Sequence, residues 1–267
     1  MKTIVSILAF FAAIPALAQK QPADSMKLIK QFMQVCTGYK QLPLQLTLEY
    51  KTQYNVFYAD EDTSTVQAFF HVQKNGAYIK FGEAEQIITD SAQLMVMPQI
   101  RQMVLTTLDS SEAQRLKTSL GIKVPESAIE KTAARYTVVE SARGKNSVIT
   151  MASRDRIANT ELSFEEITLV YDPKTQEPKE IKTLKRDLVI APDTENEPGE
   201  RGGYRIVNIP GKGRFAVREQ TTWYVYKTIG HDPEAKLPVV MTDRIERGEL
   251  NQYAPVKTFS GYYLQQN

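Results

Sequence analysis

This sequence is poor in the side chains that most enzyme chemistry uses: one cysteine, two histidines and one tryptophan among 267 residues. A single thiol, Cys36, cannot close an internal disulfide, so the fold must be held by packing alone. His71 and His231 stand in no H-x-x-x-H, H-x-E or G-x-S-x-G arrangement, which leaves no motif for a metal centre or a catalytic triad. Both are read as structural or solvated. Long apolar runs are also lacking, because nothing after residue 18 approaches the ~20 apolar residues that a spanning helix needs. Charge of one sign is missing too: 33 basic against 31 acidic residues give a formal net charge of +2. Such a balance creates no global field for nucleic acid or an anionic membrane surface.

What is present begins with an export signal. Lys2 supplies the positive end, Ile4 to Ile14 the apolar stretch, and Ala16-Leu17-Ala18 the small residues of a cleavage site. The mature chain is expected to begin at Gln19 and to work in the periplasm, a location that suits an exported chain without disulfides.

Residues 24–36 then predict an amphipathic helix. Met26, Leu28, Ile29, Phe32, Met33, Val35 and Cys36 share one half of the helical wheel, and Lys27, Lys30, Gln31 and Gln34 fill the other. So wide an apolar face needs an apolar partner. In "LPLQLTLEYKTQY", Leu42, Leu44, Leu46, Leu48 and Tyr50 alternate with polar residues, which is a strand with one greasy face. Further strands are predicted at 65–73 and 77–82 around an Asn75-Gly76 turn, at "EQIITD", and at "AQLMVMPQIRQMVL", where Pro98 marks an edge, a bulge or a break. Asp109 and Glu112 have the spacing of a capping box for a short helix closed by Gly121, and 125–134 predicts another helical turn. Strands resume at 134–141, 146–153, 161–172 and 179–191. Residues 192–203, "PDTENEPGERGG", read as an exposed loop, and 204–267 as strands of the same sheet or a small appended module.

Few residues invite chemistry. Cys36 falls on the apolar helix face, where a thiol is an inert small hydrophobe. "GKGR" at 211–214 is a hairpin turn, since no helix follows to make it a phosphate loop. Asp60-Glu61-Asp62 and the group Asp193, Glu195, Glu197 and Glu200 match no full calcium loop and read as solvated turns. No catalytic residue, metal or cofactor is therefore assigned.

Two phrases carry a family resemblance. "IITDSAQLMVMPQIRQ" at 87–102, with Asp90, Leu94, Pro98 and Gln102 in matching places, resembles a strand–turn–strand phrase of the LolA/LolB-like periplasmic lipoprotein carriers. "EITLVYDPKTQEPKEIKTLKRD" at 166–187 is similar to a late hairpin of the same family. The resemblance covers about residues 24–190. It implies an α+β, mostly β fold: an incomplete antiparallel β-barrel, or half-barrel, with helices covering its concave face and acyl chains held between sheet and lid. On that reading Leu44, Leu46, Leu48, Phe70, Met95, Met97 and Met103 line the cavity, and Met26, Ile29, Phe32 and Met33 form the lid. The expected function is a non-enzymatic periplasmic carrier of an acylated or other hydrophobic ligand, a lipid or lipoprotein bound for the outer membrane. The alternative is an envelope sensor or interaction protein that uses a LolA-like domain, 19–191, to regulate a protein partner.

Overall fold

The computed structural model describes residues 22–55, 63–109, 111–112, 126–157, 160–191, 205–248 and 252–267. The export signal, both acidic clusters, the 192–203 loop and most of the helix expected at 109–121 lie outside the described residues. Of that helix the start is visible: Asp109 Oδ1 accepts the Glu112 amide at 2.8 Å and Glu112 Oε2 accepts the Asp109 amide at 3.2 Å. This is the reciprocal capping box that the spacing predicted.

Helix α1 spans Pro22–Gly38 and α2 spans Glu126–Arg135. The strands are β1 (Leu44–Tyr54), β2 (Thr63–Val72), β3 (Ala77–Phe81), β4 (Ala84–Ile88), β5 (Ala92–Met97), β6 (Gln102–Thr107), β7 (Tyr136–Arg143), β8 (Asn146–Ser153), β9 (Glu165–Tyr171), β10 (Pro178–Ile190), β11 (Arg205–Ile209), β12 (Gly213–Gly230), β13 (Ile245–Arg247), β14 (Tyr253–Pro255) and β15 (Tyr263–Gln266). All but β13 and β14 form one curved sheet in the order β15-β6-β5-β4-β3-β2-β1-β12-β10-β9-β8-β7, with β11 paired to β12. Its two end strands do not meet, so the sheet is open rather than a closed barrel.

Pro98 marks a break, one of the three possibilities the sequence left open, and the sheet departs from the expectation at one edge. The run 92–105 is two strands, because Pro98 cannot donate to a ladder and starts a 3-10 turn, Pro98–Ile100, which ends at Arg101 with φ 49°. The sheet is also not wholly antiparallel, since β15 lies parallel to β6 with Tyr263 opposite Gln102. The segment 204–267 is divided between two roles. β12, eighteen residues long, is a central strand that pairs both β1 and β10, whereas residues 231–248 and 252–262 leave the sheet and fold across it.

Strand alternation gives the sheet two faces. On one, which we call the helix face, α1 packs through Leu28, Ile29, Phe32 and Val35 against Val138, Ile149, Met151, Leu169 and Tyr171 of β7, β8 and β9, with Ile129 of α2 beside it. On the other, the tail face, Leu237, Val239, Met241, Ile245, Phe259 and Tyr262 cover Tyr78, Ile87, Leu94, Val96, Met103 and Leu105 of β3–β6. Polar clamps fix that cover. Arg244 forks onto Glu85 at 2.8 and 3.2 Å and lies over the Phe259 ring. Gln45 grips the backbone of Asp232 in both directions, at 3.0 and 3.1 Å, and Gln73 donates to the Ala235 carbonyl. Further along the tail face, the buried Arg186 joins three strands by donating to Glu166 and Glu219, each at 2.6 Å.

Candidate functional site

Register places most of the expected wall on the helix face and one residue on the other. Leu46 lies opposite Phe70 and Ile79 follows Phe70, then Gln86, Met95 and Val104 continue the same row across β4, β5 and β6. Met97, two residues beyond Met95, shares that face. Met103 pairs with Val96, which points to the tail face, and it is fully buried there under the C-terminal segment. The structure therefore takes Met103 out of the wall: its strand leaves the Pro98 turn with the opposite parity from Met95 and Met97.

The remaining wall residues divide again by depth. Leu44, Leu46 and Leu48 are buried in a cluster with Tyr39, Ala68 and Val72, against which Phe70, Tyr226, Ile229 and Leu108 pack. Their surface is thus already occupied by the chain itself. Met95, at 37% exposure, and the half-buried Met97 lie outside that cluster toward the rim. There the β3–β4 and β5–β6 turns enclose an apolar groove of about 370 Å³ lined by Val66, Phe81, Gly82, Glu83, Ala84, Met97, Pro98, Gln99 and Ile100. Phe81 and Ile100 are exposed by 46% and 64%, so the groove opens to solvent.

The four helix residues do not roof these leucines. Ile29 and Phe32 are buried, and Met33 partly buried, in the cluster over β7–β9 at the far end of the same face, while Met26 sits at the helix surface beside Lys27 and Lys30. The partner that the greasy helix required is β7–β9, a set of strands whose own alternation left several choices.

Several residues that the face uses were not among those expected to form the wall or the lid. Tyr50 pairs with Val66 on one side and Tyr224 on the other, and its ring meets those of Tyr224 and Phe81 at centroid distances of 5.3 and 5.7 Å. Deeper in, the Tyr39 and Tyr226 rings are edge-to-face at 5.4 Å with their hydroxyls 3.2 Å apart. Burial pushes both phenols up, most of all Tyr226, so they stay protonated as hydrogen-bonding groups inside an apolar cluster. The alternation of Tyr50 with Leu44, Leu46 and Leu48, and of Tyr224 with Tyr226, was the available signal.

Cys36 and the two histidines make structural contacts. Burial pushes the Cys36 thiol up to about 12, which removes the thiolate needed for attack. His71 is buried on the tail face, its Nε2 3.4 Å from the side-chain nitrogens of both Gln45 and Gln73. Those amides also hold the 232–235 backbone, so the ring nitrogen between them accepts, and the neutral imidazole fits. His231 Nδ1 lies 3.0 and 2.9 Å from the carbonyls of Gln41 and Pro43. Among the described residues no three His, Cys, Asp or Glu side chains gather as metal ligands, and no helix is long and apolar enough to cross a membrane.

The chain is similar to a LolA superfamily protein. The solved structure of LolA superfamily protein NE2245 from Nitrosomonas europaea matches 79% of this chain and 94% of its own, with 10% sequence identity and a TM-score of 0.25. A likeness that loose transfers neither activity nor site residues. No family model matches the sequence, and no curated protein does.

Proposed function

We propose that this chain is an exported, non-enzymatic carrier that holds an acyl-bearing or similarly apolar ligand against the helix face of β1–β6. The observation that carries the reading is a strip of apolar side chains left open beside a closed core: Phe81 at 46%, Met95 at 37% and Tyr224 at 36% exposure flank Val66, Ile79 and Met97 on one face. Scattered exposed hydrophobes are normal, whereas a contiguous strip ending in a groove is the form that binding surfaces take. Each methylene moved from water onto such a surface gains ~0.8 kcal/mol, so one acyl chain provides useful affinity without any specific polar contact. The sequence resemblance to lipoprotein carriers, through residues 87–102 and 166–187, agrees with this, and the signal-like residues 1–18 support a periplasmic setting.

An independently folding segment at 204–267 would favour the interaction-protein alternative. β12 is instead built into the middle of the sheet, and that reading gains no specific support.

The test uses the uncharged dye N-phenyl-1-naphthylamine and native mass spectrometry of the purified protein. Dye fluorescence that rises on binding, falls on adding a fatty acid ester, and is lost in Phe81→Glu and Met97→Glu with urea midpoints retained is the expected result. Failure of the wild-type protein to bind dye, together with no co-purified lipid, ends the carrier reading.

A further inference from the structure

Resting on the carrier reading, we infer that the helix face also contains a polar subsite for the uncharged neck of an amphiphile, the ester or amide carbonyls that join acyl chains to their headgroup. It is built from one row of hydroxyls: Ser64 of β2, Thr52 of β1, Thr222 of β12 and Thr183 of β10.

Register brings these four together from distant parts of the sequence. Thr52 lies opposite Ser64 on one side and Thr222 on the other, and Thr222 lies opposite Thr183. Neighbouring strands are ~4.8 Å apart, so four strands place the hydroxyls along ~14 Å. The row one step inward along the strands is Val66, Tyr50, Tyr224 and Ile181, and the apolar rows of Leu48 and Leu46 follow. One step outward come Tyr54, Gln220 and Lys185, and then Arg218 paired with Asp187 at 3.0 and 2.5 Å. Along the strands the same face thus passes from aliphatic to aromatic, to hydroxyl, to charged. From Leu44 to Tyr50 the rise is ~20 Å, comparable with the ~15 Å that an acyl chain occupies in half a bilayer core. An amphiphile shows this sequence of polarities from tail to headgroup.

A second observation points to a ligand. The Thr52 residue is 8% exposed, and its Oγ1 is buried with no hydrogen-bond partner. A buried hydroxyl left unpaired is destabilising, a penalty that a purely structural position would avoid by holding valine, which is equally β-branched and suits a strand. A ligand carbonyl accepting from Thr52 Oγ1 would complete it. The neighbours favour a neutral acceptor: the row itself carries no charge, charge begins with Lys185 in the next row outward, and Arg218 beyond it is paired with Asp187.

The experiment compares two probes on the full chain: N-phenyl-1-naphthylamine, which offers only apolar surface, and monopalmitoylglycerol, which adds an ester and two hydroxyls. Thr52→Val is expected to weaken monopalmitoylglycerol about tenfold, the equivalent of one hydrogen bond at the upper end of its usual ~0.5–1.5 kcal/mol, and to leave the dye unchanged. Thr52→Ser should restore the ester ligand, and Thr222→Val should reproduce the selective loss to a smaller degree. The urea midpoint of Thr52→Val should hold or rise, because an unpaired buried hydroxyl is removed. Equal binding of both probes by wild type and Thr52→Val overturns the subsite and leaves the carrier standing. A parallel loss of both probes also overturns it, as damage to the surface as a whole. Wild-type protein that binds neither probe overturns subsite and carrier together.

Discussion

The strands β3 to β6 present two faces of similar composition and opposite fate. On the tail face Tyr78, Ile87, Leu94, Val96 and Met103 are sealed beneath residues 237–245 and 259–262 of the same chain, held by the Arg244–Glu85 fork. On the helix face the alternate residues Ile79, Phe81, Met95 and Met97 receive no comparable cover among the described residues, and Met95 and Phe81 are exposed. Since both sets are apolar, composition does not distinguish a core from a binding surface. What distinguishes them is whether the chain supplies its own second layer, and here it spends its C-terminal segment on one face only.

The sharpest way to break this comparison is to remove the cover. Deleting residues 231–267 exposes the tail-face cluster and strips β15 from β6, so the expected outcome is insoluble protein or loss of the cooperative urea transition. Retention of a wild-type transition would mean that the two faces are equivalent after all. Next, paired truncations measure the difference directly. Met103→Ala should cost about 2–5 kcal/mol by urea denaturation, as for other fully buried methionines, and Met95→Ala no more than ~1 kcal/mol. Equal losses would contradict the assignment of one to core and the other to an open surface.

A smaller effect comes from the clamp at the start of the cover. Burial holds the His71 imidazole below the ordinary histidine range, so the unfolded chain takes up its proton first as pH falls. Stability from this residue is therefore complete above the unfolded value of about 6.5, declines as pH drops below it, and levels off once the folded ring is protonated as well. Urea midpoints at pH 7.5 and 5 should show that decline, and His71→Gln should flatten it. The opposite slope in this window would remove His71 as the group responsible. The smallest effect is expected at Ile100, exposed by 64% at the groove's rim: Ile100→Ser should leave stability within ~0.5 kcal/mol and lower only dye affinity.

Legibility followed the range of the interactions. The helix at 24–36 and the alternating strand from Leu44 were readable because their signals, period 3.6 and period 2, are local. The capping box at Asp109 was readable for the same reason. Met103 was not, because which side it faces depends on how many residues the Pro98 turn consumes, and one residue of register reverses a strand. The helix partner was not either, since the apolar stripes of β1 and of β8–β9 are interchangeable on paper. The hydroxyl row was invisible, as its four members come from strands whose neighbours are set only by folding: Thr52 and Thr222 meet although 170 positions separate their numbers.

Sequence by itself settled that this chain is mostly β, that one amphipathic helix precedes a greasy strand, and that no recognisable catalytic or metal motif is present, because each of these is written in neighbouring residues. Tertiary structure alone decided which apolar face is buried and which is open, which strands the helix covers, and which hydroxyls share a row. Those depend on pairings between residues far apart in the chain, where a hydrophobic side chain favours burial without specifying against what.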